Sequence, residues 1–450
     1  MAEPLTADAV RRRFVALTAM RWVSTGFMIP VTVLLMQDRG LSLAEVGLVS
    51  GTQSLMVLLL ELPTGGLADA LGRRPVLLVA GTLNLVSLTL FASGRSIGVL
   101  ALAWAIQGVF RALESGPLEA WYVDTSLAAD RAAPIEQGLA QAGTAIGLAI
   151  SAGALGSALL GIVGPHFDLD PLTTAVVLAI GTAIVGQVAL QLLLVEAPSP
   201  STSAVTRRQR VQQAVAEAPQ VIRDGTRLVT GSRALLALVL VELLWGAGMF
   251  GVEMLSAPRL VELLGDRDEG LVVFGIVAAL GWTMCGVGSA LTGRIVGWHA
   301  GSWARAGFTL RIAQGTAVLA IALVAGPAGL VAGYLGFYVV HGTANAVHYG
   351  MVHRLVGPEH RTTIISANSF TSRIGTLFAA VGLGALADAH GIPAACAASA
   401  ILLAIAAPLY RIAGHASPAD ADAEADAPDA GGTPAEAAAA LPEHSAVQVH

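Results

Sequence analysis

Lysine is absent from this chain; all 25 basic residues are arginine. That excludes a phosphate-binding loop of the Walker type, which needs a lysine, and any chemistry through a lysine Schiff base. Charge of either sign is scarce. Charged residues make up 12% of the sequence, against about 25% in soluble domains. There are only two cysteines, Cys285 and Cys396, each inside an apolar run and without C-x-x-C or metal-site spacing. They read as small packing residues. The amino terminus, M-A-E-P-L-T-A-D-A-V-R-R-R, lacks a cleavable signal pattern. No H-E-x-x-H motif or nucleophile constellation occurs. The G-x-G-x-x-G match at Gly246 to Gly251 follows no strand and sits within an apolar run, so nucleotide binding is not expected there. Neither enzymatic chemistry, nor a metal, a cofactor or a nucleic-acid partner is expected.

What is present is apolar. The 450 residues are 55% hydrophobic, with a mean hydropathy of +0.70. A membrane-spanning helix needs about 20 mostly apolar residues. The runs that qualify are 14–36, 43–68, 75–93, 97–122, 137–163 and 172–195, then 234–257, 270–293, 304–325, 328–352, 362–387 and 391–412. The expectation is an all-α polytopic membrane protein with twelve spans in two sets of six. Residues 1–13 precede the first span, 14–195 and 234–412 hold the two sets, 196–233 link them, and 413–450 form a tail.

Arginine placement fixes the expected orientation, because connections rich in arginine stay in the cytoplasm. Arg11, Arg12 and Arg13 hold the amino terminus there. Arg73/Arg74, Arg131, the 196–233 stretch, Arg294/Arg305, Arg354/Arg361 and Arg411 then all fall on the same side. The opposite loops carry Arg39, Arg95 and Arg267. Both termini are expected inside a cell (inner or plasma) membrane, and the chain is expected to be a monomer. The 196–233 stretch opens with P-S-P-S-T-S and then turns basic. Residues 207–224 read either as an amphipathic helix on the inner membrane face or as a solvated linker. The tail, rich in Ala, Asp, Glu, Pro and Gly, cannot bury enough surface to order itself.

The connection after the second run reads G-G-L-A-D-A-L-G-R-R-P-V-L-L from Gly65 to Leu78. Gly65 and Gly66 let helix ends approach closely, and Gly72 permits a tight turn. Asp69 accepts hydrogen bonds from an arginine or a helix amino end. Arg73 and Arg74 face the cytoplasm. This stretch resembles the loop signature of the major facilitator superfamily of secondary transporters, matching at Gly65, Leu67, Ala68, Asp69, Gly72, Arg73 and Arg74. The resemblance implies two six-helix bundles around a central cavity, lined by helices 1, 4, 7 and 10. The equivalent loop of the second set, Gly288 to Arg294, has Thr292 where the family's acid would stand.

Ionisable residues at membrane depth default to functional candidates. Helix 10 carries Tyr334, Tyr338, His341, Asn345 and His348 at spacings that put all five on one face. Either this face lines a ligand cavity, or it packs between helices. Helix 4 carries Trp104, Gln107, Arg111 and Glu114, with Glu119 and Asp124 beyond. Gln107 and Gly108 match a family pattern, R-x-x-Q-G, in which Trp104 takes the arginine's place. Arg111 and Glu114, three apart, either pair structurally or handle protons. Helix 7 carries Glu242, Trp245, Met249 and Glu253 on one face. Arg21 on helix 1 either meets a helix 4 carboxylate or snorkels to the surface. Glu61 is placed near the inner gate, and Arg373 needs an unnamed carboxylate.

Glu114, Glu119, Glu242 and Glu253 are the proton-coupling candidates. Arg21, Trp104, Gln107, Arg111, Trp245, Tyr334, Tyr338, His341, Asn345 and His348 are the cavity candidates. Helix 5 has Gly143, Gly147 and Ser151 at close-packing spacing but lacks the proline and the closing glycine pair of the family's export pattern. The expected partners are a small organic molecule, protons and the lipid bilayer. Proton-coupled efflux of a drug-like or amphipathic compound is the leading expectation. Uptake of a metabolite, and a non-transporting sensor or assembly protein, are the alternatives.

Overall fold

A computed structural model describes residues 5–65, 67–196, 225–357 and 360–414, together with residues 220 and 223. Apart from residues 220 and 223, the expected helix at 207–224 lies outside the described residues, as do the tail from 415 and the side chains of Glu61, Gly65 and Asp69. The described chain is helical, with no strand. Eleven helices are long and apolar enough to cross a membrane. A twelfth, Pro327–Leu355, is 29 residues long. Its polar stripe of Tyr, His and Asn keeps it from qualifying on apolarity.

The helices in chain order are α1 (Ala7–Asp38), α2 (Leu43–Gly65), α3 (Arg73–Ser93), α4 (Ile97–Ala129), α5 (Ile135–Val163), α6 (Pro171–Leu193), α7 (Arg233–Leu264), α8 (Arg267–Ala290), α9 (Trp303–Leu323), α10 (Pro327–Leu355), α11 (Arg361–His390) and α12 (Ile392–Gly414). Their ends follow from local chemistry. Thr6, Ser96, Asp170, Ser232, Asp266 and Ser302 each accept the N–H three residues on, satisfying donors that a helix start leaves orphaned. Gly265 and Gly391 follow α7 and α11 at φ values of 75° and 86°, a region that favours glycine. α4 breaks at Ser115–Gly116, ahead of Pro117.

The packing is a repeat. In the first half α1 packs on α5 and α6, α2 on α4, and α3 on α4 and α6. Adding six to every number gives the second half: α7 on α11 and α12, α8 on α10, α9 on α10 and α12. The halves meet through α2 with α11 and α5 with α8, pairs that the same relation exchanges.

These meetings concentrate at one end. Call the end with the 65–74 connection the loop end, and the other the far end. On α2 and α11, a Cβ at Gly47 would stand 1.8 Å from the Ala380 carbonyl oxygen, and one at Gly384 2.4 Å from that of Leu43. Only glycine permits this approach. The Asp388 carboxylate accepts the Leu43 and Ala44 N–H groups at 3.0 and 2.8 Å, so α11 caps the start of α2. Arg267 at the start of α8 pairs with Asp38 and stands 3.6 Å from Asp170.

Along α5, the Ser151 hydroxyl donates to the Ala279 carbonyl at 3.0 Å. A Cβ at Gly275 would press the Ala154 carbonyl, and one at Gly161 the Val272 side chain. The same face continues toward the loop end through Gly147 and Gly143 on α5 and Gly286 on α8. A Cβ at any of these three meets nothing within 4 Å. The small-residue stripe read from the sequence is therefore half used. The halves touch at the far end and diverge toward the loop end.

Burial alone would lift the Asp170 carboxyl, but hydrogen bonds from Thr173 and the Arg267 guanidinium outweigh it and hold Asp170 below the usual carboxylate range. A depressed carboxylate contributes while ionised, and its contribution is lost as pH falls through its folded-state value. The far-end contact therefore weakens on acidification below about pH 4. Thermal unfolding followed against pH reads this as an acid-side fall that is smaller in Arg267→Gln. An equal fall in both proteins would disprove the role of the pair.

Candidate functional site

The loop-end connection is anchored within the first half. Gly72, at φ 94°, turns the chain into α3. The Glu196 carboxylate then accepts the N–H groups of Arg73 and Arg74 at 2.8 and 3.2 Å, a negative charge at a helix amino end. The Arg73 guanidinium pairs with Asp124 at 2.5 Å, and that of Arg74 donates to the Gln191 carbonyl. The sequence reading placed Asp124 on α4 without this partner and missed Glu196, because a cap supplied from 122 residues away has no local signature.

Between the halves, the first contributes Arg21, Arg111 and Glu114. Arg21 and Glu114 form a close pair at 2.5 Å, with side chains 13% and 15% exposed. That decides between the two readings of Arg21. Arg111 lies 4.0 Å from the same carboxylate, over the Trp22 ring, and is 34% exposed. Of the two, Arg111 is the more open to the gap. Gln107 buries its side-chain oxygen without a hydrogen-bond partner. Trp104 turns into the first half and packs on Phe91 with ring centroids 4.6 Å apart. Glu119 lies half-buried in the first turn after the α4 break.

The second half contributes Glu253, exposed although it stands well inside α7. Arg373 on α11 and Arg111 of the first half lie within electrostatic reach of it, so it faces the gap. The α10 stripe stays on one face, as its spacing requires, but that face is largely buried. Tyr334, Tyr338, His341 and His348 are at most 5% exposed, while Asn345 is half-buried. Tyr334 and Tyr338 join hydroxyls at 3.4 Å and pack on Phe274 and Trp282 of α8. His341 stacks parallel to Trp245, centroids 5.7 Å apart.

Glu242 is placed elsewhere. It points into the core of the second half, where its carboxylate lies 3.9 Å from the Arg311 guanidinium and 3.2 Å from His348 Nε2. Arg311 donates to the Gln314 oxygen at 2.7 Å, and the Gln314 amide stands 3.5 Å from His341 Nδ1. His348 Nδ1 is 3.1 Å from the Tyr410 hydroxyl, and the Asn368 amide nitrogen is 3.0 Å from His348 Nε2. Five helices, α7 and α9 to α12, thus meet at one enclosed polar cluster. Arg311, Gln314, Asn368 and Tyr410 were missed in the sequence. The rule that singles out Glu242 also applies to Arg311, an ionisable residue in mid-span. The other three are uncharged and carry no such signal. Among the described residues, no group of acidic, His and Cys side chains has a metal-binding arrangement.

Two halves of six helices, related by repeat and meeting through α2/α11 and α5/α8, stand around a gap with charged residues at membrane depth. The sequence profile described as Major Facilitator Superfamily matches residues 14–347. The chain belongs to that superfamily. Among solved structures it is similar to the nucleoside transporter NupG, with a TM-score of 0.72 at 11% identity, covering 91% of this chain and 100% of that one. It is also similar to a bacterial homologue of the human lysosomal transporter Spinster in an inward-facing, unoccupied conformation, with a TM-score of 0.68 at 16% identity, covering 92% and 98%. At such identities the likeness is one of fold. None of the curated proteins matches the sequence. As a member of the superfamily, the protein is a multi-pass membrane transporter.

Proposed function

We propose that this facilitator moves a small, drug-like or amphipathic organic molecule by alternating access, driven by protons, in the direction of efflux. The observation that carries the reading is the divergence of the halves, sealed at the far end and parted at the loop end. Half-buried Arg111 and exposed Glu253 face the gap from opposite halves. The arginine bias of the loop-end connections puts that end in the cytoplasm, so this conformation opens to the inside, where an exporter loads its cargo. The chain is placed as a monomer in the cell membrane, with residues 14–195 and 234–412 as the moving bundles.

Within this reading, Gly65, Asp69, Gly72, Arg73 and Arg74 form the inner gate, with Asp124 and Glu196 as its anchors. Glu253 exchanges a proton in the gap, with Glu114 and Glu119 as the first-half acids. Gln107 of α4 and Asn345, the half-buried member of the α10 stripe, supply wall positions, while Trp104, Trp245, Tyr334, Tyr338, His341 and His348 back the walls from inside their own bundles. Charges of both signs beside aromatic surface suit an amphipathic cargo.

The test is a growth-tolerance panel in a bacterial host stripped of its own exporters. Wild type is compared with Asp69→Asn and Glu253→Gln at matched membrane expression. The expected result is raised tolerance to some compounds, lost in both variants and on collapse of the proton gradient. Lowered tolerance with wild type alone reverses the direction to uptake. No compound moved in either direction, with the protein folded and inserted, sinks the transport reading and leaves a sensor or assembly role.

A further inference from the structure

The cluster inside the second half poses a hydrogen-bonding problem that locates a proton. His348 Nε2 faces two groups at once, the Glu242 carboxyl oxygen at 3.2 Å and the Asn368 amide nitrogen at 3.0 Å. An amide NH2 only donates, so toward it the ring nitrogen must present a lone pair. An ionised carboxylate only accepts, so toward it the same nitrogen must present a hydrogen. Both demands cannot hold together.

Two arrangements resolve the conflict. In the first, the carboxyl carries a proton and donates to Nε2, and Asn368 donates beside it. In the second, Glu242 is ionised, and the ring hydrogen is on Nε2 and points at it. The hydrogen that Nδ1 carried in the first arrangement has left, so that Nδ1 accepts from the Tyr410 hydroxyl, and the Asn368 side chain is turned half over so that its oxygen faces the ring. That oxygen has no partner as placed, and neither has Glu242 Oε1. The half-turn gives the Asn368 oxygen one. Amide orientation is the cheapest rearrangement a buried site offers, since the two ends are nearly the same shape. A proton therefore enters or leaves this frame without movement of any helix.

The charge balance gives that proton a consequence. Arg311 keeps its charge at any accessible pH, and its side chain is 1% exposed. With Glu242 ionised the pair is neutral; with a proton bound, the core holds an uncompensated positive charge. The titratable and charged groups that face the site among the described residues come from four helices. Glu242 comes from α7, Arg311 from α9, His341 and His348 from α10, Tyr410 from α12, and α10 adds Tyr349. From α11 the facing group is the uncharged Asn368. Arg311 Nε and Nη2 make no hydrogen bond; Nη1 donates to Gln314, and the guanidinium faces the Glu242 carboxylate and the Tyr410 ring. Gln314 in turn meets His341, whose ring lies on Trp245.

We propose that the Glu242–His348 pair is a proton-binding site of this transporter, enclosed in the second bundle apart from the gap, with Arg311 as its fixed counter-charge and Asn368 as its two-position switch. Gln314 and His341 are positioning residues that carry its charge state toward Trp245. The proposal rests on the transport reading and divides its labour. Glu253 meets the gap, while Glu242 holds a proton where cargo does not reach.

The test is infrared difference spectroscopy of the purified protein in lipid nanodiscs, from alkaline to mildly acidic pH. The carbonyl stretch of a protonated carboxyl group is expected to grow in on acidification in wild type and to be missing in Glu242→Gln. In Asn368→Leu, which keeps the carboxylate and loses the switch, the midpoint is expected to move by about one pH unit or more, a tenfold change in proton affinity. This variant also covers the case in which Glu242→Gln folds poorly. A Glu242 band present at every pH, or absent at every pH, overturns the proposal, since the group is then a fixed acid or a fixed ion pair.

In proteoliposomes, with a compound taken from the tolerance panel, Glu242→Gln is expected to lose gradient-driven transport and keep gradient-free exchange. Loss of both overturns the separation of the two sites. If wild type moves nothing while the titration behaves as expected, the transport reading fails and the proton site stands.

Discussion

Glu242→Leu is expected to destabilise the protein by about 3–5 kcal/mol, while Glu242→Leu combined with Arg311→Met recovers most of that loss. The asymmetry follows from what each change leaves behind. Removing the carboxylate alone strands a guanidinium in the interior of a helix bundle, and breaking one partner of a buried pair costs about 3–5 kcal/mol. Removing both charges leaves apolar side chains of similar volume, a change that is often neutral or better. The buried side chains, 1% and 3% exposed, leave little room for solvent to soften the effect. The buried Gln314 oxygen loses the guanidinium donor in the double variant, so recovery is incomplete. The measurement is the thermal midpoint of wild type, both single variants and the double variant in one detergent. A single-variant loss on the order of 10 °C is expected. Additive losses in the double variant would mean that Glu242 and Arg311 do not interact, and the charge argument for the cluster would fall with them.

The legibility of the sequence divides along the same line. Spans were readable because each needs only a local run of apolar residues, and eleven of the twelve are apolar enough by themselves. Pro327–Leu355 is the instructive exception. Its tyrosines, histidines and asparagine dilute its apolarity, and the 29-residue helix survives because its neighbours bury them. The repeat was legible as two sets of six; the pairing of α5 with α8 and α2 with α11 was not.

Within the site, periodicity placed Tyr334, Tyr338, His341 and His348 on one face, and they are on one face. It could not say what that face meets, and here it meets α7, α8 and α12. Glu242 and Glu253 show the same limit. Both lie on α7 and both were read as proton carriers, yet one looks into the gap and the other into the bundle core. A helix face is wide enough to hold residues with different neighbours, and only the neighbours decide their chemistry. Arg73 and Arg74 were legible as a loop motif, while the carboxylate of Glu196 that holds their backbone arrives from the end of the first half.

Gly47→Val is expected to abolish transport by forbidding the sealed far end. The approach at Gly47 is backbone to backbone, with a Cβ placed 1.8 Å from the Ala380 carbonyl oxygen, so no rotamer change relieves it. α2 and α11 must separate, and that loses the Asp388 cap on Leu43 and Ala44 as well. Overpacking of this kind costs about 1–3 kcal/mol or more, charged only to the conformation in which the far ends meet. In a conformation with the far end parted the valine has room. A penalty of about 3 kcal/mol on one of two states moves their ratio by more than a hundredfold, enough to strand the protein in the other.

The measurement is a distance distribution between spin labels at Leu169→Cys and Glu262→Cys, at the far end of opposite halves, with Cys285 and Cys396 replaced by alanine. The glycine protein is expected to show a short distance, and the valine variant a longer one in a protein that still inserts and folds. Gly143→Val is the control, since a Cβ there meets nothing in this conformation, and it should leave the short distance in place. If Gly47→Val also keeps the short distance, the far-end contact yields without parting the halves. The glycine would then serve packing within a fixed scaffold, and alternation between the two ends would lose its main structural support.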